Sequence, residues 1–389
     1  MKYCYIDTAL CLLISNFTKI NVLKKLIIIS VTNDLIADKR VNKVAVSLVN
    51  HGFAVKVIGR KLKNSKDIAF PYPSKRFRLI FEKGPLFYAE YNFRLFVFLL
   101  TSKADIFLSN DLDTLPANYL ASAIRRKKLV YDSHELFTEV PELQGRKFVQ
   151  NIWLRIEKLI LPRVKFSYTV CDSIADYYKS KYGIEMTVVR NIPECIIKHT
   201  ISEIGKINLP ADKKLVLYQG ALNIGRGIEF AIEAFRFLEN VILLTVGGGD
   251  IEKQLKEKVV KLGLTDKILF TGKLPFAELE YYTRKADLGL SIEENLGLNY
   301  YFALPNKLFD YIRAEIPVLV SRLPETERIV SHYDIGDFIE NHDPEHIAQK
   351  IETCLNNTEQ RKIWKINLKK ASGELCWENE EKNFLKYFK

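Results

Sequence analysis

The sequence predicts an α/β protein of two Rossmann-like domains in tandem, with a cleft between them. Three observations predict it. Short apolar runs of strand length alternate with stretches of helical period, which is the pattern of doubly wound parallel sheets. The alternation stops once, over Glu194 to Lys213, and then begins again. The 389 residues also exceed what one ordinary core organises. We therefore expect an N-terminal extension over residues 1–21, a first domain over 22–197 and a second over 205–373.

In the first domain, Leu26 to Ser30 is a continuous apolar run, as befits a strand buried on both faces. Val41 to Val49 has helical spacing and ends at His51-Gly52, before a second strand at Ala54 to Ile58. Phe93 to Leu100 reads as a helix. A strand at Ala104 to Leu108 delivers Asn110-Asp111-Leu112-Asp113 at its carboxyl end, and a helix follows from Thr114 to Ile124. The strand Lys128 to Tyr131 ends in Asp132-Ser133-His134-Glu135. A basic amphipathic helix over about Phe148 to Leu161 precedes the strand Tyr168 to Val170. Thr187 to Val189 then leads to Arg190-Asn191-Ile192-Pro193.

The second series opens with the strand Leu215 to Tyr218 and a glycine-bearing turn, Gly220 to Gly227, into the helix Ile228 to Leu238. Val241 to Val246 is a strand. Gly247-Gly248-Gly249 turns the chain, and Asp250 suits the N-cap of a helix over Ile251 to Leu262. Lys267 to Phe270 is a strand and Phe276 to Lys285 a helix. The stretch Ala286 to Ser321 carries most information: strand, long loop, helix, strand. Pro305 suits the first helical position, where a missing N–H costs nothing. The free amides of that turn attract an anion, Lys307 adds a positive charge, and Asp310, one turn deeper, suits a diol. Together these suit a sugar nucleotide, and ligands of such sheets bind at the carboxyl ends of the strands.

Charge is uneven. Residues 1–195 hold 31 Lys and Arg against 18 Asp and Glu, a balance of +13, whereas the remainder holds 27 against 29, a balance of −2. A basic first half suggests an anionic partner: a membrane surface, nucleic acid or an acidic acceptor. The six cysteines lack paired C-x-x-C spacing, which argues for reduced thiols in a cytoplasmic protein and against a zinc site or disulfide framework. No apolar run reaches the roughly 18–20 residues that span a bilayer. The short patch Ala9 to Ile14 lacks the cleavage site of a signal peptide.

Five motifs in order resemble the retaining GT-B glycosyltransferases of the large bacterial family that builds surface polysaccharides, the glycosyl transferases group 1. They are Y-D-S-H-E at 131–135, the glycine turn with Arg226 at 220–227, V-G-G-G-D at 246–250, F-T-G-K-L at 270–274 and P-N-K-L-F-D-Y-I at 305–312. The segment Cys376 to Leu385 resembles that family's last helix, which crosses back to the first domain, so residues 374–389 are assigned there. The resemblance implies transfer of a sugar from a nucleotide-diphosphate sugar to a glycan or lipid-linked acceptor, with retention. It implies no cofactor, no metal and no nucleic-acid partner. His134 would lie against the transferred sugar, and Arg226 and Lys307 would neutralise the leaving diphosphate. Gly220, Gly248, Gly249, Leu274, Asn299, Pro305, Asn306 and Asp310 would bind the donor. Arg40 and Asp111 would face the acceptor.

The chain departs from the family pattern at Phe302, where a glutamate usually touches the sugar; Asn299, Glu293 and Glu294 are the candidate substitutes. Asp111 and Asp113 have a second reading, as caps of the following helix or as a D-x-D metal pair. Two other functions stay open: a nucleotide-sugar epimerase on the same fold, and a non-catalytic subunit that binds a sugar nucleotide. The expected location is the cytoplasm, with peripheral attachment to the inner face of the membrane. The sugar, the base and the acceptor are not legible.

Overall fold

A computed structural model describes residues 24–36, 38–67, 69–195, 207 and 209–389. The expected extension over 1–21, and most of the linker, lie outside the described residues. The first sheet contains β1 (Leu26–Asp34), β2 (Ala54–Arg60), β3 (Ser74–Phe77), β4 (Ile106–Asn110), β5 (Lys128–Ser133), β6 (Phe166–Thr169) and β7 (Thr187–Val188). The second contains β8 (Lys214–Gln219), β9 (Val241–Val246), β10 (Ile268–Gly272), β11 (Leu288–Ser291), β12 (Val318–Ser321) and β13 (Gly336–Ile339). Their strand orders are β3-β2-β1-β4-β5-β6-β7 and β10-β9-β8-β11-β12-β13, and the paired strands are parallel. In each sheet the order reverses beside the first strand, β1 or β8. That reversal opens a crevice at the strand carboxyl ends.

The helices of the first half are α1 (Lys39–Asn50), α2 (Gly84–Thr101), α3 (Asp111–Arg125), α4 (Lys147–Ile160) and α5 (Asp172–Tyr182). Those of the second are α6 (Ile228–Ala234), α7 (Glu252–Lys261), α8 (Phe276–Lys285), α9 (Leu298–Tyr301), α10 (Asn306–Arg313), α11 (Pro324–Tyr333), α12 (Pro344–Asn356) and α13 (Thr358–Glu374), with α14 (Trp377–Leu385) at the end. The apolar run of β1 is continuous because both its faces are covered. Ile27 and Ile29 pack with Val41 and Val44 of α1 and with Trp377 and Phe384 of α14. Ile28 points the other way, into the core shared with Leu95 of α2, Leu115 of α3 and Trp153 of α4.

α14 closes the chain onto the first sheet. Trp377 Nε1 donates to Ser47 Oγ (2.7 Å), its backbone N–H to Pro193 O (2.9 Å), and Arg190 donates to Glu380 (2.9 Å). This return path overturns the reading of the cysteines. Cys195 and Cys376, 181 residues apart, form a disulfide between the end of the first-half chain and the start of α14. Local spacing carries no sign of it, because a crossing helix brings the partners together. Cys171 and Cys354 are buried free thiols.

Several element boundaries differ from the sequence reading. α2 starts at Gly84, nine residues before Phe93, and is apolar enough that no single face stood out. α3 starts at Asp111, so Asp111 and Asp113 lie in its first turn and do not precede it. Ile251, not Asp250, is the N-cap of α7. Pro305 is the N-cap of α10 and not its first helical residue, a position where a lost N–H is equally harmless. β3, α5, α9, α11, β13, α12 and α13 have no counterpart in the sequence reading; β3 is a polar edge strand and α5 is rich in charged residues.

Candidate active site

Between the two sheets lies a cavity of about 920 Å³, lined from both halves of the chain. On the second-domain side it is built around the start of α10. Pro305, Asn306, Lys307 and Asp310 all line it, as do Gly220, Gly248, Leu274 and Arg226. The loops after β8 and β9 meet closely here: a Cβ on Gly247 would stand 1.8 Å from Gly220 O, so only glycine fits. Gly249, expected beside the nucleotide, packs instead under the loop; a Cβ there would meet Leu222 O at 2.4 Å. Gly247 takes its place in the lining.

The charges of this pole are arranged differently from the expectation. Lys307 is not a free cation. Its Nζ lies 2.9 Å from Glu293 Oε1, with both side chains buried, and 4.0 Å from the centre of the Tyr218 ring. Burial would raise the Glu293 carboxyl, but Lys307 holds it below the usual range. Ser291 Oγ also donates to Glu293, at 2.8 Å. Glu293 is thereby occupied and is not the sugar's carboxylate. Arg226 stacks over Tyr300, 5.2 Å from the ring centre, and its buried Nε has no hydrogen-bond partner among the described residues. Asp310 accepts from Gln219 Nε2 (2.9 Å), and Gln219 Oε1 accepts in turn from Thr283 (2.9 Å). Gln219 ends β8, where a strand-end rule would have found it.

Across the cavity, His134 follows β5. Its Nδ1 lies 3.2 Å from Asp111 Oδ2 and its Nε2 3.1 Å from Asp132 Oδ2. Its backbone N–H donates to Asp111 Oδ1 at 2.8 Å. Burial would lower the imidazole, yet the two carboxylates push it up to about 9, so it is an imidazolium at neutral pH. Burial would likewise raise Asp132, but Arg40 and His134 hold it down to about 2. Asp111 is pushed up to about 7 by burial, against the pull of His134. Asp111 also has a backbone φ of +56°, a left-handed conformation rare outside glycine.

Two acceptor-side assignments change accordingly. Arg40 lines the cavity, but its guanidinium is bidentate on Asp132 (2.8 and 3.2 Å) and donates to Val189 O (3.1 Å). The buried carboxylate is the stronger attraction, so the guanidinium turns inward. Asp111 lies behind His134 and not in the cavity lining. Nor do Asp111 and Asp113 face one another as a chelating pair: Asp111 holds His134, and Asp113 accepts from Thr32.

Asn299, from α9, does reach the cavity. Its Oδ1 accepts from Leu136 N–H and its Nδ2 donates to Glu135 Oε2, both at 3.1 Å, tying the second domain to the first. Further contacts join the halves at Gln144 Nε2 to Leu296 O (2.9 Å) and at Ser173 N–H to Glu325 Oε1 (2.8 Å). Phe302 packs with Tyr177 at the domain junction and offers no polar atom beyond its backbone.

With this geometry in hand, comparison with known proteins is direct. Residues 200–371 match the family Glycosyl transferases group 1, and residues 38–196 match Glycosyltransferase Family 4. The structure superposes on the sucrose-phosphate synthase of Thermosynechococcus elongatus with a TM-score of 0.77 at 17% identity, over 94% of this chain and 98% of that one. The fold is GT-B. A second GT-B neighbour is the Anabaena protein HepE in complex with UDP-glucose, with a TM-score of 0.68 at 14% identity over 93% of this chain and 98% of that one. An uncharacterized glycosyltransferase of Methanocaldococcus jannaschii is 27% identical over 189 residues, 47% of this chain. The chain spans about half the length of that relative, 46%. Both halves of this GT-B chain thus match glycosyltransferase families.

Proposed function

We propose that the protein is a glycosyltransferase that moves a sugar from a nucleotide-diphosphate sugar to a glycan or lipid-linked acceptor, with retention. One observation carries this reading. The N-terminus of α10, Arg226 and the Gly220–Gly247 contact form an anion pole, and His134 faces it across the cavity. In this reading the diphosphate sits at the first turn of α10, where free amides and the helix dipole favour it. As the bond from the anomeric carbon to the diphosphate oxygen breaks, negative charge grows on that oxygen. The amides at the start of α10 and Arg226 are fixed beforehand to stabilise it. The acceptor hydroxyl forms the new bond to the anomeric carbon and gives its proton to the departing phosphate oxygen. His134, whose ring nitrogens are both held by Asp111 and Asp132, lies against the sugar on the other side. Asp310, oriented by Gln219, takes the ribose hydroxyls. No divalent cation or cofactor is needed in this reading, because the helix start and Arg226 meet the charge. Support for a nucleotide-sugar donor comes also from the UDP and UDP-glucose complexes of the neighbour HepE.

The test is release of nucleotide from a panel of UDP- and GDP-sugars in excess EDTA, with and without glycan acceptors. Turnover only with acceptor supports the reading. Conversion of donor without acceptor would mean an epimerase. Binding without turnover would mean a non-catalytic subunit, the reading that the apolar Phe302 favours.

The reading also keeps the expected place on the inner membrane face, although the Cys195–Cys376 disulfide removes the argument that the cysteines made for the cytoplasm. Among the described residues no helix is long and apolar enough to cross a membrane. The outer surface of α2, α3 and α4 instead exposes Phe93, Val97, Leu120, Ile124, Phe148 and Leu159. Arg94, Arg125, Arg155 and Lys158 lie on the same three helices. Exposed apolar side chains among cations suit an anionic bilayer.

A further inference from the structure

Glu135 is a carboxylate in the cavity that the charges described so far leave without a task. It follows His134 directly, lines the cavity beside it, and is largely withdrawn from solvent. One oxygen, Oε2, is held by Asn299 Nδ2 at 3.1 Å, from the opposite domain. The other, Oε1, has no hydrogen-bond partner among the described residues. No guanidinium or ammonium pairs with Glu135 among the described residues, unlike Asp132, which has Arg40, and Glu293, which has Lys307. Oε1 faces the open cavity, where a ligand that enters and displaces solvent must itself bring a donor to this oxygen.

The position narrows what that donor is. The diphosphate pole lies across the cavity at α10, and a second anion would be repelled by Glu135. A hydroxyl is the neutral donor that a carboxylate accepts best, and the group between the α10 pole and His134 is the transferred sugar. Among the described residues, the second-domain carboxylate lining the cavity is Asp310, given to the ribose above; Phe302 is apolar, and Glu293 is committed to Lys307. Resting on the glycosyltransferase reading, we infer that Glu135 binds a hydroxyl of the transferred sugar through Oε1, and that Asn299 clamps Oε2 to aim it. Sugar recognition then comes from the first domain and is completed only when the second domain brings Asn299 into place.

The experiment compares wild type with Glu135→Gln by calorimetry. The probes are UDP, GDP and ADP, then their glucose, N-acetylglucosamine and mannose conjugates. In wild type the preferred conjugate should bind more tightly than its nucleoside diphosphate. In Glu135→Gln the nucleoside diphosphate should bind as before, while the conjugate weakens by about tenfold or more, the usual loss for a hydrogen bond to a charged group. A sugar that adds nothing in wild type, or adds as much in Glu135→Gln, overturns the inference. So does an equal loss for nucleoside diphosphate and conjugate. If wild type binds no nucleoside diphosphate at all, the glycosyltransferase reading fails first and this inference falls with it. Should Glu135→Gln not fold, Asn299→Ala, which keeps the carboxylate but frees it, must show the same split between nucleotide and conjugate.

Discussion

Lys307 Nζ and Glu293 Oε1 stand 2.9 Å apart in a site closed to solvent. The pair sets the electrostatics of the proposed donor pole, because it cancels the charge that the sequence of α10 advertises. In the proposed reading, the helix start and Arg226 remain to meet an incoming diphosphate.

Removing one partner should therefore harm the fold. Glu293→Gln leaves a buried ammonium without its counter-ion and should destabilise by about 3–5 kcal/mol. Lys307→Met added to it should recover much of that loss. Urea unfolding of the two variants measures both, and a Glu293→Gln midpoint equal to wild type would show that the pair contributes nothing.

Arg226 should behave oppositely. It has no carboxylate partner among the described ion pairs and stacks on the half-buried Tyr300. Arg226→Ala should lower turnover by about 2.7–4 kcal/mol of transition-state stabilisation, roughly 10²–10³-fold. Its melting temperature should stay near that of wild type. Unchanged kcat would mean that the helix start suffices.

Asp310→Asn should weaken nucleoside-diphosphate binding by about 1.5–3 kcal/mol, the range for a hydrogen bond to a charged group. Gln219 can still bond the amide oxygen, so the ligand-free melting temperature should hold. The 2′,3′-dideoxy nucleotide should bind wild type and variant alike. A variant that still prefers ribose over dideoxyribose would place the ribose ligand elsewhere.

Stability should fall with rising pH around His134. An unfolded histidine titrates near 6.5, while burial and two carboxylates leave His134 at about 9 in the fold, the carboxylates prevailing. Its contribution is complete below about pH 6.5 and is lost as pH rises through about 9. Asp111, raised to about 7, and Asp113, raised to about 8, both by burial foremost, lose stability in the same direction as they ionise. Thermal melts from pH 6 to pH 9.5 should show this decline, and His134→Gln should flatten its upper part. A level wild-type profile contradicts the imidazolium.

The sequence by itself determined the two-domain α/β fold, because alternating apolar runs and helical periods are local patterns that only a doubly wound arrangement buries. It also picked out Pro305 to Asp310, the proposed donor pole, and the motif around His134, which the fold brings to one cavity, since glycine turns and a proline at a helix start are written in consecutive residues. The tertiary structure decided what those residues touch. Lys307 finds Glu293 fourteen positions away, Arg40 finds Asp132, and Asp111, at the start of α3, finds His134 beyond β5. Cys195 meets Cys376 only because α14 crosses back to the first sheet. Such pairings depend on which strand ends converge, and on burial, which makes an unpaired charge so costly that opposite charges must meet. Neither quantity has a local signature. Glu135 shows the consequence: within its motif it is one of two carboxylates, and its open oxygen is visible only once Asn299 arrives from the other domain.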